Sequence, residues 1–522
     1  MLPNEQLPIR LLEQLDRLEA EGHLQQAVEL LRSILTFASN SADAWHRLGR
    51  FYQRLGNLPI SRRAYKCALQ IDPLKINTIN NLILLELTCL DPDSADGWLE
   101  IGLNIVDMPF EDSDRFLASA CELRLFQNRI SDAFDFANRQ LSLSPSSVCL
   151  SNIAVCLRLL GDFAGALQAQ LDALGLMVDF DVQFITDLVG KELNTVAATL
   201  DLHVQLMNLA IFKLSINPFD RQAQLLCLAG CYRHGLFWRK QIYRFSLWDG
   251  NTIDELVVWD DQGFGDTLQN ISWLSEAACK ATLICLWLRP AFHRLITKRF
   301  ILPANVVIQS MDSNSKPWEH GCSHIGIFYL PILLGGWQLN HPCLRTPSLI
   351  RNISINSKIQ IGLVWKAGRH NSPQPERSAR MRDVPFSLLM THARAWQRYF
   401  NCSLVSLQLG EDSDPSFNHA LDSGLFEFSL NPGDWESTAA LVEKLSLVVT
   451  IDSAMAHLCG AMGVPCIVLL NKPADWRWGQ KSSDCFLYSS LRLARCGHFG
   501  DWQGALDVAD KFANSFLSNA LI

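Results

Sequence analysis

The sequence predicts two unlike halves: paired helices over residues 1–240, then an α/β half whose parallel strands fall in two series, residues 250–345 and 355–522. Three observations carry this. Gly22 and Gly56 lie 34 residues apart within a stretch whose apolar residues recur at helical spacing. From Glu255 the pattern changes to short apolar and β-branched runs alternating with helical segments, the mark of βαβ units. The stretch Gly335–Ser357, rich in Gly, Pro, Asn and Ser, divides those runs and reads as a linker between two α/β lobes with a cleft between them.

Composition narrows the function classes. With 522 residues the chain exceeds one hydrophobic core, and 48% hydrophobic against 19% charged residues is ordinary for packed domains. A net charge of -8 leaves no basic footprint for nucleic acid. The 16 cysteines show no C-x-x-C pair or metal-finger spacing and read as small buried groups in a reducing compartment. Met1-Leu2-Pro3-Asn4-Glu5 lacks a basic region followed by an apolar core, so no secretory signal is expected. The most apolar stretch, Leu447–Leu470, is broken by Asp452, His457, Gly463 and Pro465, which argues against a membrane span. These features predict a cytoplasmic protein.

In the first half, the residues Trp45, Leu48, Gly49, Tyr52, Gly56, Tyr65, Ala68 and Pro73 resemble the tetratricopeptide pattern. Small residues let two helices approach, large ones fill the space between them, and the proline ends the second helix. Weaker copies stand at Gly22, Ala27 and Leu31, at Ala133, Leu141 and Pro145, and at Gly161, Ala166 and Ala173; residues 76–114 keep the periodicity without the signature. Such repeats imply a curved surface for a protein or peptide, or else for assembly of the chain with itself.

In the second half, Glu255–Trp259, Ala281–Leu288, Ile359–Trp365, Leu404–Gln408, Leu447–Ile451 and Cys466–Leu470 read as strands. Two segments carry chemistry. Asp261-Gln262-Gly263-Phe264-Gly265-Asp266-Thr267 joins a strand to a helix starting near Thr267, at the carboxyl end of a strand where open α/β sheets bind ligands. Asp266 there is a candidate proton acceptor; taken alone, the turn favours a helix cap. The second segment, Thr450-Ile451-Asp452-Ser453-Ala454-Met455-Ala456-His457, reads strand, polar turn, helix of small residues, with Gly463 and Pro465 opening the next strand. Free amides at that helix start suit a diphosphate, and Ser453 adds a hydroxyl. A histidine one turn into a helix is often a packed residue.

Together the two segments resemble the bacterial heptosyltransferase-like glycosyltransferases of GT-B fold, especially relatives with N-terminal tetratricopeptide repeats. The resemblance spans about Glu255–Phe516 and includes Gly362-Leu363-Val364-Trp365, Ser406-Leu407-Gln408 and Asp475-Trp476-Arg477-Trp478. It implies two Rossmann-like lobes, an acceptor side and a donor side. It implies Asp266 as catalytic base, and Asp452, Ser453, Ala454, His457, Lys366, Gln408, Arg380 and Arg382 about the donor diphosphate. Gly263, Gly265, Thr267, Gln269, Trp476 and Arg477 are expected to line the substrate cleft, with packing and ligand contact equally weighted for Trp476 and Trp478.

The basic stretch here departs from the family, since Lys366 follows Trp365 and Arg369, Arg377, Arg380 and Arg382 are widely spread. The implied reaction transfers sugar from a nucleotide sugar, as co-substrate, without a metal or other cofactor. Asp412-Ser413-Asp414 has the letters of a metal-binding triplet but stands in a polar loop and reads as a solvated turn. The rival readings are a catalytically inactive adaptor and, less supported, a nucleotide-sugar epimerase.

Overall fold

The computed structural model describes residues 9–105, 109–177, 200–227, 247–311, 323–337, 359–368, 373–408 and 435–518. It divides into two compact units, Met1–Cys156 with Arg369–Ser378, and Leu157–Gly368 with Ala379–Ile522.

The helices follow one another, the first eight as hairpins: α1 (Ile9–Ala20) and α2 (Leu24–Phe37), α3 (Ala42–Arg54) and α4 (Leu58–Ile71), α5 (Ile76–Thr88) and α6 (Pro92–Leu103), α7 (Phe110–Phe126) and α8 (Ile130–Leu143); α9 (Ser147–Leu160) and α10 (Phe163–Gly175) come next in the chain. The packing anticipated from small and large residues is present at Gly49, where a Cβ would lie 2.5 Å from the Tyr65 ring. Each hairpin turns through one residue in the left-handed region, Gly22, Gly56, Leu90 and Asn128, and Gly161, after α9, has the same backbone conformation. Leu90 stands 34 residues beyond Gly56, so the repeat register runs through the segment that lacks the signature. The next residue caps the second helix where it is Asn57, Asp91 or Asp162, each accepting a backbone N–H at 2.9–3.3 Å. Glu86, buried on α5, accepts both donors of the Arg62 fork, which lifts Arg62 above its ordinary range.

The second unit opens with α10 and α11 (Leu200–Ile216), joined by a buried bond from Gln170 to the Gln205 carbonyl at 3.3 Å. Strands β1 (Ile253–Trp259), β2 (Ala281–Leu288), β3 (Val306–Ser310) and β4 (Ser323–Gly326) form a parallel sheet in the order β3-β2-β1-β4. Strands β5 (Gln360–Leu363), β6 (Ser403–Ser406), β7 (Leu447–Ile451), β8 (Cys466–Leu470) and β9 (Leu491–Arg495) form a second, in the order β6-β5-β7-β8-β9. Every residue of β7 and β8 is buried, as a parallel sheet covered on both faces requires. Helix α12 (Phe264–Asn270) follows β1, beginning three residues before the expected Thr267. In the order introduced here, α13 (Pro290–Arg299) follows β2, α14 (Pro373–Arg380) and α15 (Phe386–Phe400) lie between β5 and β6, α16 (Trp435–Val442) precedes β7, α17 (Ala454–Ala461) joins β7 to β8, and α18 (Trp502–Ser518) follows β9. Most of the expected linker, residues 338–358, lies outside the described residues. No helix among those described is long and apolar enough to cross a membrane.

Candidate functional site at two sheet crevices

In the first sheet, connections leave β1 toward β2 on one side and reach β4 on the other, so the crevice of an open α/β sheet falls between β1 and β4. The loop after β1 and the first turn of α12 carry three aspartates, each held differently. Asp260 is fully buried and neutralised by Arg289, whose Nε and Nη2 donate at 2.5 and 2.6 Å. The Thr267 hydroxyl donates to the same carboxylate, so Thr267 lies in the core beneath the loop. Asp261 is 3% exposed; its Oδ1 accepts the Phe328 N–H at 3.0 Å, while Oδ2 bonds to nothing among the described residues. Burial, with Asp266 and Asp260 nearby, pushes its carboxyl up to about 7. Asp266 accepts the Gly263 N–H at 2.9 Å, capping its own helix, and turns its other oxygen to Nη2 of Arg477 at 2.6 Å. The left-handed residue of the turn is Gln262, φ 59°, while Gly263 has an ordinary φ of -85°.

The second sheet reverses between β5 and β7. After β5, the Gln408 carboxamide braces the chain, accepting from Trp365 N and Lys366 N at 3.2 and 2.9 Å and donating to the Lys366 carbonyl at 3.1 Å. That fixes the backbone of Lys366 and uses the Gln408 side chain structurally. After β7, Ser453 is extended and opens α17; its hydroxyl bonds that of Thr450 at 3.1 Å. Arg382 donates to the Asp452 carbonyl at 2.9 Å, whereas Arg380 is exposed at the end of α14. Burial raises the Asp452 carboxyl, against the pull of Arg382. Arg377, from the same basic stretch, belongs to the first unit, beside Glu122, Cys121 and Cys156.

The two crevices meet within the second unit because α12 packs on α17. A Cβ at Gly265 would lie 2.8 Å from Cδ2 of His457 and 3.5 Å from Cα of Ala454, so glycine is required by close helix approach. The His457 ring stacks on Trp478 at 5.0 Å and bonds the Tyr488 hydroxyl through Nδ1 at 3.1 Å. Burial first, then Arg477, lowers it to about 4, which keeps the ring neutral at pH 7. Arg477 bridges Asp266 and Asp475, the latter at 2.9 Å, and lies over the Trp476 ring at 4.7 Å. Burial opposes its charge, but Asp266 and Asp475 outweigh that and hold the guanidinium above its usual range. Trp476, 3% exposed, packs on Trp337 at 4.7 Å, and both tryptophans of the Trp476–Trp478 turn are buried. Gln269 is 8% exposed, with neither carboxamide atom bonded among the described residues.

Sequence reading passed over Asp260, Arg289 and Tyr488. Arg289 and Tyr488 carry no local signal, since their partners lie far along the chain; for Asp260 the signal was three acids within seven residues of a glycine turn. Among the described residues, His392, Asp507 and Asp510 group closely enough to hold a metal, on α15 and α18; Asp412 and Asp414 lie outside those residues. No disulfide joins the described cysteines, and most of them are buried, Cys279 being exposed.

No protein-family model matches the chain, and no curated protein matches it. Among solved structures it is similar to PilW, a widely conserved type IV pilus biogenesis factor, at 16% identity and TM-score 0.31, over 37% of this chain and 90% of that one. It is similar to Pseudomonas aeruginosa PilF at 18% identity and TM-score 0.31, over 41% of this chain and 94% of that one. It is also similar to YrrB, described as a TPR protein with an unusual peptide-binding site, at 15% identity and TM-score 0.27, over 34% and 89%.

Proposed function

We propose that the α/β half is a GT-B-type glycosyltransferase that moves a sugar from a nucleotide-activated donor to an acceptor, with the first sheet on the acceptor side and the second on the donor side. One observation carries the reading: the ion pair of Asp266 with Arg477 at 2.6 Å, which joins the crevice of one parallel sheet to that of the other. The motif resemblance described from the sequence supports it.

In this reading the donor diphosphate lies against Ser453, the first amides of α17 and Arg382, and draws Arg477 away from Asp266. The freed carboxylate accepts the proton of the acceptor hydroxyl as its oxygen bonds to the anomeric carbon. The bond from that carbon to the diphosphate breaks, and the electron pair leaves on the phosphate, stabilised by the arginines and helix amides. These groups are sufficient to carry the leaving charge without a metal. The repeats hold a protein or peptide acceptor.

The test is transfer and hydrolysis with a panel of nucleotide sugars, in the presence and absence of chelator, by the wild type and by Asp266→Asn. Asp266→Asn keeps the cap and removes the proton acceptor, so transfer falls at least about 100-fold while donor binding stays near normal. Transfer that vanishes in chelator and returns with Mn²⁺ or Mg²⁺ overturns the metal-independent mechanism. A panel in which no nucleotide sugar binds or reacts makes the chain a repeat-containing adaptor.

A further inference from the structure

Arg289 is the first residue after β2 and Asp260 the first after β1, on strands that run side by side with Trp259 opposite Trp287. Both therefore stand at the carboxyl edge of the first sheet, where ligands of open α/β sheets bind. The Asp260 carboxylate has no exposed surface and takes three donors from Arg289: the backbone N–H at 3.2 Å, Nε at 2.5 Å and Nη2 at 2.6 Å. Its Oδ1 also accepts the Thr267 hydroxyl. The guanidinium lies 4.4 Å from the centre of the Phe264 ring, and Phe264 packs on Phe292 at 5.1 Å and on Trp435 at 5.4 Å. One arginine thus holds the turn that enters α12 at three places: its start through Asp260, its middle through Phe264 and its end through Thr267.

Stability alone does not call for this arrangement. Burying an ion pair costs the hydration of both ions, and well-packed apolar residues of the same volume often do as well or better. What the pair supplies is direction. A guanidinium fork is planar and rigid, so it fixes the plane of the carboxylate it grips. Oδ1, fixed in this way, receives the hydroxyl of Thr267, the residue next to Asp266.

We propose that Arg289 is a positioning residue for Asp266: acting through Asp260 and Thr267, it fixes the first turn of α12 and with it the aim of the Asp266 carboxylate. This deepens the glycosyltransferase reading and rests on it for its catalytic meaning. Asp266 bonds the Gly263 N–H and Arg477. In the proposed reaction the donor draws Arg477 away, and the aim of the carboxylate then depends on the turn that carries it. A misplacement of about 1 Å can cost on the order of 100-fold in rate. The groups assigned to the donor diphosphate, Ser453, the α17 amides and Arg382, belong to the second sheet, so loosening the turn should lower kcat and leave the donor KM alone.

The experiment compares the full-length wild type with Arg289→Lys, Thr267→Val and Thr267→Ser. Arg289→Lys keeps the charge and loses the fork; Thr267→Val keeps the shape and loses the hydroxyl; Thr267→Ser keeps the hydroxyl. Two quantities are measured: kcat and KM for the nucleotide sugar that reacts best in the panel, and hydrogen exchange of the amides in the segment 261–270. We expect kcat to fall at least about 10-fold in Arg289→Lys and Thr267→Val, with the donor KM within about twofold of wild type and Thr267→Ser close to wild type in both. The amides of the segment should exchange at least about fivefold faster in Arg289→Lys and Thr267→Val, and at the wild-type rate in Thr267→Ser. Thr267→Val keeps the test decisive if Arg289→Lys folds poorly. Unchanged kcat in Thr267→Val, a donor KM that rises as kcat falls, or a Thr267→Ser as slow as Thr267→Val overturns the positioning role. If exchange behaves as expected but no nucleotide sugar binds or is turned over, the glycosyltransferase reading fails, and the hold of Arg289 on the turn stands.

Discussion

A methyl group at position 265 would enter a ring that cannot retreat. His457 is stacked on Trp478, bonded to Tyr488, and enclosed by a helix whose Gly460 has the Tyr488 ring against it, since a Cβ there would lie 2.4 Å away. Gly265→Ala is therefore an overpacking change and should cost about 1–3 kcal/mol, read as an earlier thermal transition of the second unit. Gly263→Ala meets only its own Asp266 carboxylate at 3.1 Å, with an ordinary φ, and should cost less. The pair of glycines is plain in the sequence, yet its reason for Gly265 was not legible there, because the demand comes from a histidine 192 residues away. His457 makes a second prediction. Its folded value, about 4, lies below the ordinary 6.5, so the unfolded chain binds the extra proton. The stability that depends on a neutral His457 is fully present above about pH 6.5 and is lost as pH falls toward 4. His457→Gln should destabilise at pH 7, and its deficit relative to wild type should shrink by up to about 3 kcal/mol by pH 4 in denaturant titrations. A deficit independent of pH would remove the titration from the argument.

At the scale of elements, the repeat half shows what a sequence signature does and does not report. Gly49 with Tyr65, and the turns at Gly22, Gly56 and Gly161, were legible because the residues that satisfy the packing also spell the pattern. The hairpins at Leu90 and Asn128 keep the same left-handed turn with residues that do not spell it, so the repeat continues where the letters fade. Asn128 is the more easily improved of the two, since its side-chain Oδ1 is also buried without a partner. Asn128→Gly should raise the unfolding free energy by roughly 0.5–1 kcal/mol, measured as a later transition in calorimetry. In the α/β half, β3, β4 and β9 escaped the sequence reading because they are short and mixed. β4 is only Ser-His-Ile-Gly, and β9 interleaves Arg492 and Arg495 with its apolar residues. Arg495 is no ordinary surface cation: it donates to the carbonyls of Trp478 and Gly479 at 2.6 and 2.9 Å, and burial lowers it to about 10. The aromatic turn that carries Arg477 is thus held in place from the edge of the second sheet.

At the scale of the second unit, the two sheets are fastened at a second place, away from Asp266 and Arg477. Helix α13 of the first sheet presents Arg294, Lys298 and Arg299, and α16 with its following turn presents Glu436 and Glu443. Arg299 makes the best bonds, 2.6 Å to Glu443 and 3.1 Å to Glu436, and beside them Trp435 packs on Phe264 and Phe292. Isolated surface pairs contribute little, but a network in which one arginine serves two acids beside buried aromatics exceeds that floor. Arg299→Glu sets three carboxylates together and should lower stability by about 1–2 kcal/mol at low salt. Adding Glu443→Arg restores one pair of opposite charges and should recover part of the loss, giving a coupling energy that two independent substitutions would lack. At about 1 M salt, where the screening length falls to roughly 3 Å, the single variant should approach the wild type, because repulsion among partly exposed carboxylates is screened while the aromatic contact is not. Calorimetry of the four proteins at both salt concentrations decides it: a single-variant deficit that persists unchanged in salt would mean that Arg299 acts through the packing of its stem against Trp435 and its neighbours, and that charge is incidental to how the sheets are joined.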